Sequence, residues 1–335
     1  MLWPRSIRAI ASFPAYPPKT VNRLVPVLAS ILVAAPACSD GTEGGTGGSA
    51  EGEGEGEGEG EGEGEGEVGN GAPESPAEIL VANRILAIAH RGGGRRAPEE
   101  TLLAFETAVA DGADVLEADA HVTSDGVVVL MHDDTVDRTT NGTGAVAAMT
   151  FDEVRALDAG HRFSPDGGVT YPHRGQGVQV ATLVEALNAH PDMPFILEIK
   201  PSDVATVPPV LAAIDETGAE DRVVVGSFRD AITAAVREQA PTLRTSLAIG
   251  ETLAFHGLTD DTEGDYEPPG AFLQVPRVFQ GLEVVTPEAI ARAHRLGMKV
   301  HVWTINDRVE MEELVALGVD GIMTDDSPTL VDVLR

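Results

Sequence analysis

Two histidines, His90 and His132, bracket a stretch in which two carboxylates, Glu117 and Asp119, stand two residues apart. In an extended strand, residues two apart point to one face, so both acids aim together. Side-by-side carboxylates repel unless a cation or a shared proton relieves them. A second such element follows at Phe195-Ile-Leu-Glu-Ile-Lys200, where Glu198 and Lys200 share a face. With Arg91 beside His90, the set combines carboxylates, imidazoles, a guanidinium and an ammonium. That combination suits a phosphate ester gripped with the help of a metal ion. Glu117, Asp119 and Glu198 offer only oxygen, which favours Ca2+ or Mg2+ over Zn2+. Arg91 can hold phosphate bidentately, and Lys200 supplies a point charge. His90 and His132 titrate near neutrality and can serve as general acid and general base; which does which stays open. The bland alternative is a ring of structural ion pairs, but burying several charges for structure alone is costly.

Such a set must be positioned by strands. Short apolar runs at 86–90, 114–121, 195–200, 222–227, 245–249, 281–285, 299–304 and 321–324 alternate with helical segments at 100–111, 182–189, 203–217, 229–239, 287–296 and 308–317. Alternating strand and helix means a parallel sheet. With charged residues at the ends of several strands, the pattern predicts an α/β fold, a TIM (β/α)8 barrel, whose site gathers on one rim. A doubly wound open sheet is the rival, since Gly92-Gly93-Gly94 loosely offers the glycine-rich first turn it needs. The run 127–132 follows the second strand after only a Thr-Ser-Asp-Gly turn. That is too short for a parallel crossover, so it returns as the antiparallel arm of a hairpin. The register carries His132 back to the level of Ala118, beside Glu117 and Asp119. Residues 134–180 lack strong periodicity and read as an insertion. Residues 251–277, rich in Asp, Glu, Gly and Pro, read as rim or surface loop.

Read together, these motifs resemble one family. They are His90-Arg91-Gly92, Ala97-Pro98-Glu99-Glu100-Thr101, Glu117-Ala-Asp119, Thr123-Ser-Asp-Gly126, His132-Asp133 and Glu198-Ile-Lys200. Ser227-Phe228, Val302-Trp303-Thr304-Ile305-Asn306 and Gly321-Ile-Met-Thr-Asp325 follow in order. Their order and spacing resemble the glycerophosphodiester phosphodiesterase family, whose resemblance spans nearly all of the chain after residue 85. Two positions depart: Glu100 stands where the family usually has Asn, and Ala181 where it often has Pro. The resemblance implies a barrel with an insertion over its mouth. It also implies metal-dependent hydrolysis of a small-molecule glycerophosphodiester to sn-glycerol 3-phosphate and an alcohol such as choline or ethanolamine. Glu99 is then a candidate to orient Arg91 or touch the glycerol end. Trp303, at a strand end, is a candidate wall of the glycerol pocket. Their bland readings are a helix N-terminal charge and barrel packing. Two rivals remain: a phospholipase C/D-type enzyme acting on intact lipids, and a non-catalytic envelope lipoprotein.

The chain has 54 acidic against 23 basic side chains and a net charge of −31, which excludes nucleic acid as a natural partner. Arg5, Arg8, Lys19 and Arg23 precede an apolar run at 24–35 that is too short to span a bilayer as a helix. Small residues then lead to Cys38, the only cysteine. This is a secretory signal pattern, and ending at cysteine it resembles a bacterial lipobox. The expected organisation is a signal peptide at 1–37, lipidation at Cys38, a Glu/Gly tether at 38–78, and the barrel domain at 79–335 with its insertion at about 134–180. The repeated Glu-Gly of the tether has no apolar period and cannot form a core. The protein is thus expected to be exported and held to a membrane of the bacterial cell envelope, in the periplasm or at the cell surface, through its lipid anchor.

Overall fold

The computed structural model describes residues 74–335. The signal segment, Cys38 and the tether up to residue 73 lie outside the described residues. The strands are β1 Leu86–Ala89, β2 Val115–Val122, β3 Val128–Leu130, β4 Phe195–Ile199, β5 Val223–Gly226, β6 Arg244–Thr245, β7 Phe272–Pro276, β8 Val278–Phe279, β9 Leu282–Glu283, β10 Lys299–Trp303 and β11 Gly321–Thr324. Eight of them run in the order β6-β5-β4-β2-β1-β11-β10-β7, every neighbour parallel. A parallel bridge from Ser246 to Phe272 joins the two ends, and helices alternate with the strands, so the sheet curls into the expected TIM barrel. Strands buried on both faces must be apolar throughout, as Leu86-Ala-Ile-Ala of β1 and Val223-Val-Val-Gly of β5 are.

Strand parity sorts the side chains. Leu116, Leu197 and Val225 face outward and pack with Phe105, Leu187, Val210 and Val236 of the surrounding helices. Ala87, Leu273, Val300 and Ile322 do the same against Ile290, Met311 and Leu314. The opposite parity points into the barrel. Leu86, Ile88, Val115, Ile196, Val224, Phe272 and Met323 form an apolar interior, closed below by Leu80 next to the short helix Pro76–Ile79. Two residues further along the same faces come His90, Glu117, Glu198 and Asp325, then Asp119 and Lys200. The period-two rule that builds the apolar floor therefore also builds the polar mouth.

β3 pairs antiparallel with β2, Ala120 opposite Leu130. Its other face lies in a separate apolar cluster with Val136, Val146, Val154 and Val180, so residues 134–180 carry a small core of their own. The structure corrects two strands. Residues 281–285 are not a barrel strand: Leu282–Glu283 pairs with Val278–Phe279 in a hairpin outside it. Gln280 and Gly281, at φ 51° and 79°, supply the two-residue turn that such a hairpin needs. The sixth barrel position belongs to β7, inside the stretch read as loop. Pro276 is tolerated because it ends the strand. Residues 245–249 give only the end of β6, and Ile249 already starts the helix Ile249–His256.

Candidate active site

His90 leaves β1 on a single 3-10 turn, His90–Gly92. Gly92 has φ +78°, and a Cβ there would stand 2.8 Å from the Ala104 Cβ, so only glycine lets this turn press against the helix Leu102–Ala110. The turn brings Arg91 onto the carboxylates of β2. Its backbone N–H donates to Glu117 Oε2 at 2.8 Å, and its Nε lies 3.4 Å from Asp119 Oδ2. Its guanidinium also donates to Glu99 Oε1 at 3.2 Å. In register with Asp119 across the sheet is Glu198. Lys200 bridges the two, with Nζ 3.1 Å from Asp119 Oδ1 and 2.9 Å from Glu198 Oε2.

Both histidines are held at Nδ1. His90 Nδ1 is 2.7 Å from Asp325 Oδ1, and Asn306 donates to the other oxygen of Asp325 at 2.7 Å. His132 Nδ1 is 2.7 Å from Asp133 Oδ1. Met131 N–H donates to the Asp119 carbonyl at 2.9 Å, so the hairpin delivers His132 beside the acids as its register requires. Arg138, from the insertion, donates to Asp133 from Nε at 2.7 Å and forks onto both oxygens of Glu99, each at 2.7 Å. Glu99 therefore braces Arg91 and Arg138. Trp303 ends β10 at the mouth and meets Phe228 edge-on, ring centroids 5.7 Å apart. The structure thus gathers His90, Arg91, Glu99, Glu117, Asp119, His132, Glu198 and Lys200 in one contact network, with Trp303 on the rim. Sequence reasoning gave no role to Asp133, Asp325, Asn306, Arg138 or Glu100. The first three stand in motifs already noted, but nothing in a strand or helix period links Asp325 to a histidine 235 residues away.

Electrostatics separate these groups. Burial, then the Asp119 charge, pushes Glu117 up to about 7. Burial also raises Glu198 to about 7, Asp119 and Glu117 adding to it and Lys200 opposing. Asp119 is buried as deeply, yet the Lys200 and Arg91 charges outweigh that and hold it at about 2. Glu100 is raised well above the usual carboxylate range by burial and by Asp119 and Glu117. For His90, burial is outweighed by the Asp325 hydrogen bond and the Glu117 charge, and its affinity for a proton rises. For His132 burial wins and the affinity falls.

Four carboxylates, Glu100, Glu117, Asp119 and Glu198, thus meet only two fixed cations, Arg91 and Lys200. Asp119 faces both cations, but neither of its oxygens accepts a well-aligned hydrogen bond, and Glu100 Oε2 has no partner either. Buried acceptors left this way are costly. All-oxygen donors with negative charge in excess suit a hard divalent cation. As the side chains stand, no three His, Cys, Asp or Glu among the described residues are gathered around one point. Lys200 and Arg91 lie on the acids instead.

The profile of the Glycerophosphoryl diester phosphodiesterase family matches residues 90–329. The chain belongs to the glycerophosphodiester phosphodiesterase family. It is 34% identical over 257 residues to a glycerophosphodiester phosphodiesterase of Caldanaerobacter subterraneus, covering 75% of this chain and 98% of that one. Among solved structures, the glycerophosphoryl diester phosphodiesterase domain of a Mycobacterium tuberculosis protein superposes with a TM-score of 0.66 at 26% identity, covering 75% of this chain and 98% of that one. A glycerophosphodiester phosphodiesterase of Agrobacterium tumefaciens gives 0.60 at 25% identity, covering 74% and 99%. The chain is therefore a glycerophosphodiester phosphodiesterase, an enzyme that hydrolyses phosphodiesters.

Proposed function

We propose that this phosphodiesterase cleaves glycerophosphodiesters with water to sn-glycerol 3-phosphate and an alcohol, using His90 and His132 as the acid–base pair. A divalent cation, Ca2+ or Mg2+, is held by Glu117, Asp119 and Glu198. One observation carries the reading: two imidazoles, each held at Nδ1 by its own aspartate, flank a buried acidic cluster that Arg91 and Lys200 do not neutralise. When bound, the cation supplies neutralisation of the charge that builds on the phosphate oxygens.

The chain's own groups do the rest. Asp325 and Asp133 are held below the usual carboxylate range and stay ionised. An ionised carboxylate only accepts, so each Nδ1 carries a proton and each neutral ring presents the lone pair of Nε2. One histidine takes the proton of the attacking water as its oxygen bonds to phosphorus. The other enters the reaction as the imidazolium, with a second proton on Nε2, and gives that proton to the alcohol oxygen as the P–O bond to the leaving group breaks. Arg91 and Lys200 grip the phosphate, Glu99 braces Arg91, and Trp303 with Phe228 walls the organic part of the substrate. The test uses the full chain with glycerophosphocholine and, separately, phosphatidylcholine vesicles. Release of glycerol 3-phosphate from the first supports this reading. Cleavage of the intact lipid alone would favour the phospholipase reading, for which the 40% exposed Phe228 at the rim speaks.

We also infer export, lipidation at Cys38 and attachment to a membrane of the bacterial cell envelope. The support is the basic segment, the short apolar run and the small residues that end at the sole cysteine. Among the described residues no helix is long and apolar enough to cross a membrane. Cys38→Ser should move the protein from the membrane fraction to the soluble fraction. A wild type already soluble after export would remove the anchor.

A further inference from the structure

We propose that Glu100 is a fourth carboxylate of the cation site and strengthens this chain's hold on its ion. The inference rests on the reading above that the acidic cluster binds a cation.

Glu100 is 3% exposed. It sits at φ 61°, in the left-handed region that few residues other than glycine adopt. Its backbone N–H donates to the Arg91 carbonyl at 3.0 Å, which ties it to the turn carrying His90 and Arg91. Its side chain reaches across to β2, where Oε1 accepts from the Asp119 backbone N–H at 3.0 Å. Oε2 is buried and has no hydrogen-bond partner, and both Asp119 carboxylate oxygens share that condition. Glu100 Oε2 thus has no donor at all, and the two Asp119 oxygens beside it meet Lys200 and Arg91 as ion pairs without an aligned hydrogen bond.

The fixed cations are committed elsewhere. Arg91 spends its guanidinium on Glu99 and Asp119, and Lys200 lies on Asp119 and Glu198. Capping the Asp119 N–H needs one neutral acceptor oxygen, and an amide would provide it. The second oxygen and the negative charge of Glu100 do nothing for that cap. They add repulsion to Glu117 and Asp119 unless a proton or a cation shares the space, and a bound cation would take the proton's place. The number of ligand charges is one of the features that set the affinity of an oxygen site for a hard divalent ion.

Glu100→Gln isolates the charge, because the amide oxygen can still cap the Asp119 N–H. Glu100→Asn is the second variant, since Asn tolerates positive φ better than most residues. Ca2+ and Mg2+ are titrated separately into the full-length wild type and both variants by calorimetry, and melting temperatures are recorded with and without ion. The expected result is a loss of ion affinity of about tenfold or more in Glu100→Gln, within the range seen when groups around a metal are altered. The ion-free variant should melt at or above the wild type, and the rise in melting temperature on adding ion should shrink. Wild-type affinity in folded variants overturns the proposal while leaving the cation reading intact. Failure of the wild type to bind either ion overturns both. Unfolding of both variants would assign Glu100 to the fold alone and would also overturn it.

Discussion

At the N-terminal ends of the barrel strands, Asp114 and Asp320 each sit one residue ahead of a strand. Each accepts from a backbone N–H of the neighbouring strand, Ala87 and Val300, both at 2.8 Å. Arg84 answers Asp114 at 2.7 Å. Lys299 at 2.9 Å and His294 at 2.7 Å answer Asp320. At the opposite ends, Glu100, Glu117, Asp119 and Glu198 crowd together with two cations and with oxygens that accept no hydrogen bond. The residue types are the same at both ends. Below, both of these acids have a backbone donor and a cation, and burial is made good by hydrogen bonds, so the pairs tie adjacent strands together. Above, acids outnumber cations, and the surplus charge would suit the proposed divalent ion. On the proposed function, one end of the barrel stabilises and the other does chemistry, the division of labour expected of this architecture.

The largest effect that separates the two ends should come from the mouth. His90→Ala and His132→Ala should each lower kcat by about 10²–10⁴-fold, the usual contribution of a positioned acid or base. Circular-dichroism melts of both should stay close to wild type. Their combined loss should fall short of the product, because groups acting as a unit are not additive. A mutant of either residue with wild-type turnover removes that histidine from the mechanism.

The converse change belongs at the bottom. Asp320→Asn removes the charge that binds Lys299 and His294 and should cost about 1–3 kcal/mol of stability, as expected when partly buried hydrogen-bonded charges lose their partner. Denaturant titration reads this directly, and kcat/KM of the folded fraction should not move. If activity fell and stability did not, the two ends would not be divided as described.

A smaller effect is the pH dependence of the ion-free protein. Glu117 and Glu198 are held at about 7 in the folded state, against roughly 4.3 for glutamate in an unfolded chain. Between those values the folded state keeps protons that the unfolded state has released, so stability falls as pH rises through that window. Asp119, held at about 2, acts oppositely: its contribution is present above the usual carboxylate range and is lost as pH falls toward about 2. The melting temperature of the ion-free protein should therefore decline from about pH 5 to about pH 7.5. Saturating Ca2+ or Mg2+ should flatten the decline, because a bound cation favours the ionised acids. An ion-free curve that rises over that interval would mean the mouth is not overcharged.

The two ends also differ in how much of them could be read from the sequence. Glu117, Asp119, Glu198 and Lys200 were legible because strand parity is local and the acids interrupt apolar runs. His132 was legible because a four-residue turn admits one hairpin register. The barrel itself followed from the alternation of strand and helix. Partners brought by closure were not legible: Asp325 reaches His90 only because β11 closes beside β1. Arg138 lies in a stretch without period, and its fork on Glu99 depends on how residues 134–180 fold back. Glu100 stood out in the sequence only as a departure from the family's Asn, and a positive φ turns it inward. β7 was missed because Phe272, Leu273 and Val275 are brief alternation amid Pro, Gly and acids, while the neighbouring Leu-Glu-Val-Val run imitated a strand that the barrel does not use.

The central claim is that the surplus acid at the mouth exists to hold a cation for phosphodiester cleavage. The most direct measurement is release of glycerol 3-phosphate from glycerophosphocholine by the full chain, first in excess chelator and then after Ca2+ or Mg2+ is returned. The account predicts that turnover disappears with the chelator, returns with one of the two ions, and stays low in Glu117→Gln at ion concentrations that saturate the wild type. Full turnover in excess chelator, or no glycerol 3-phosphate with either ion, would contradict it.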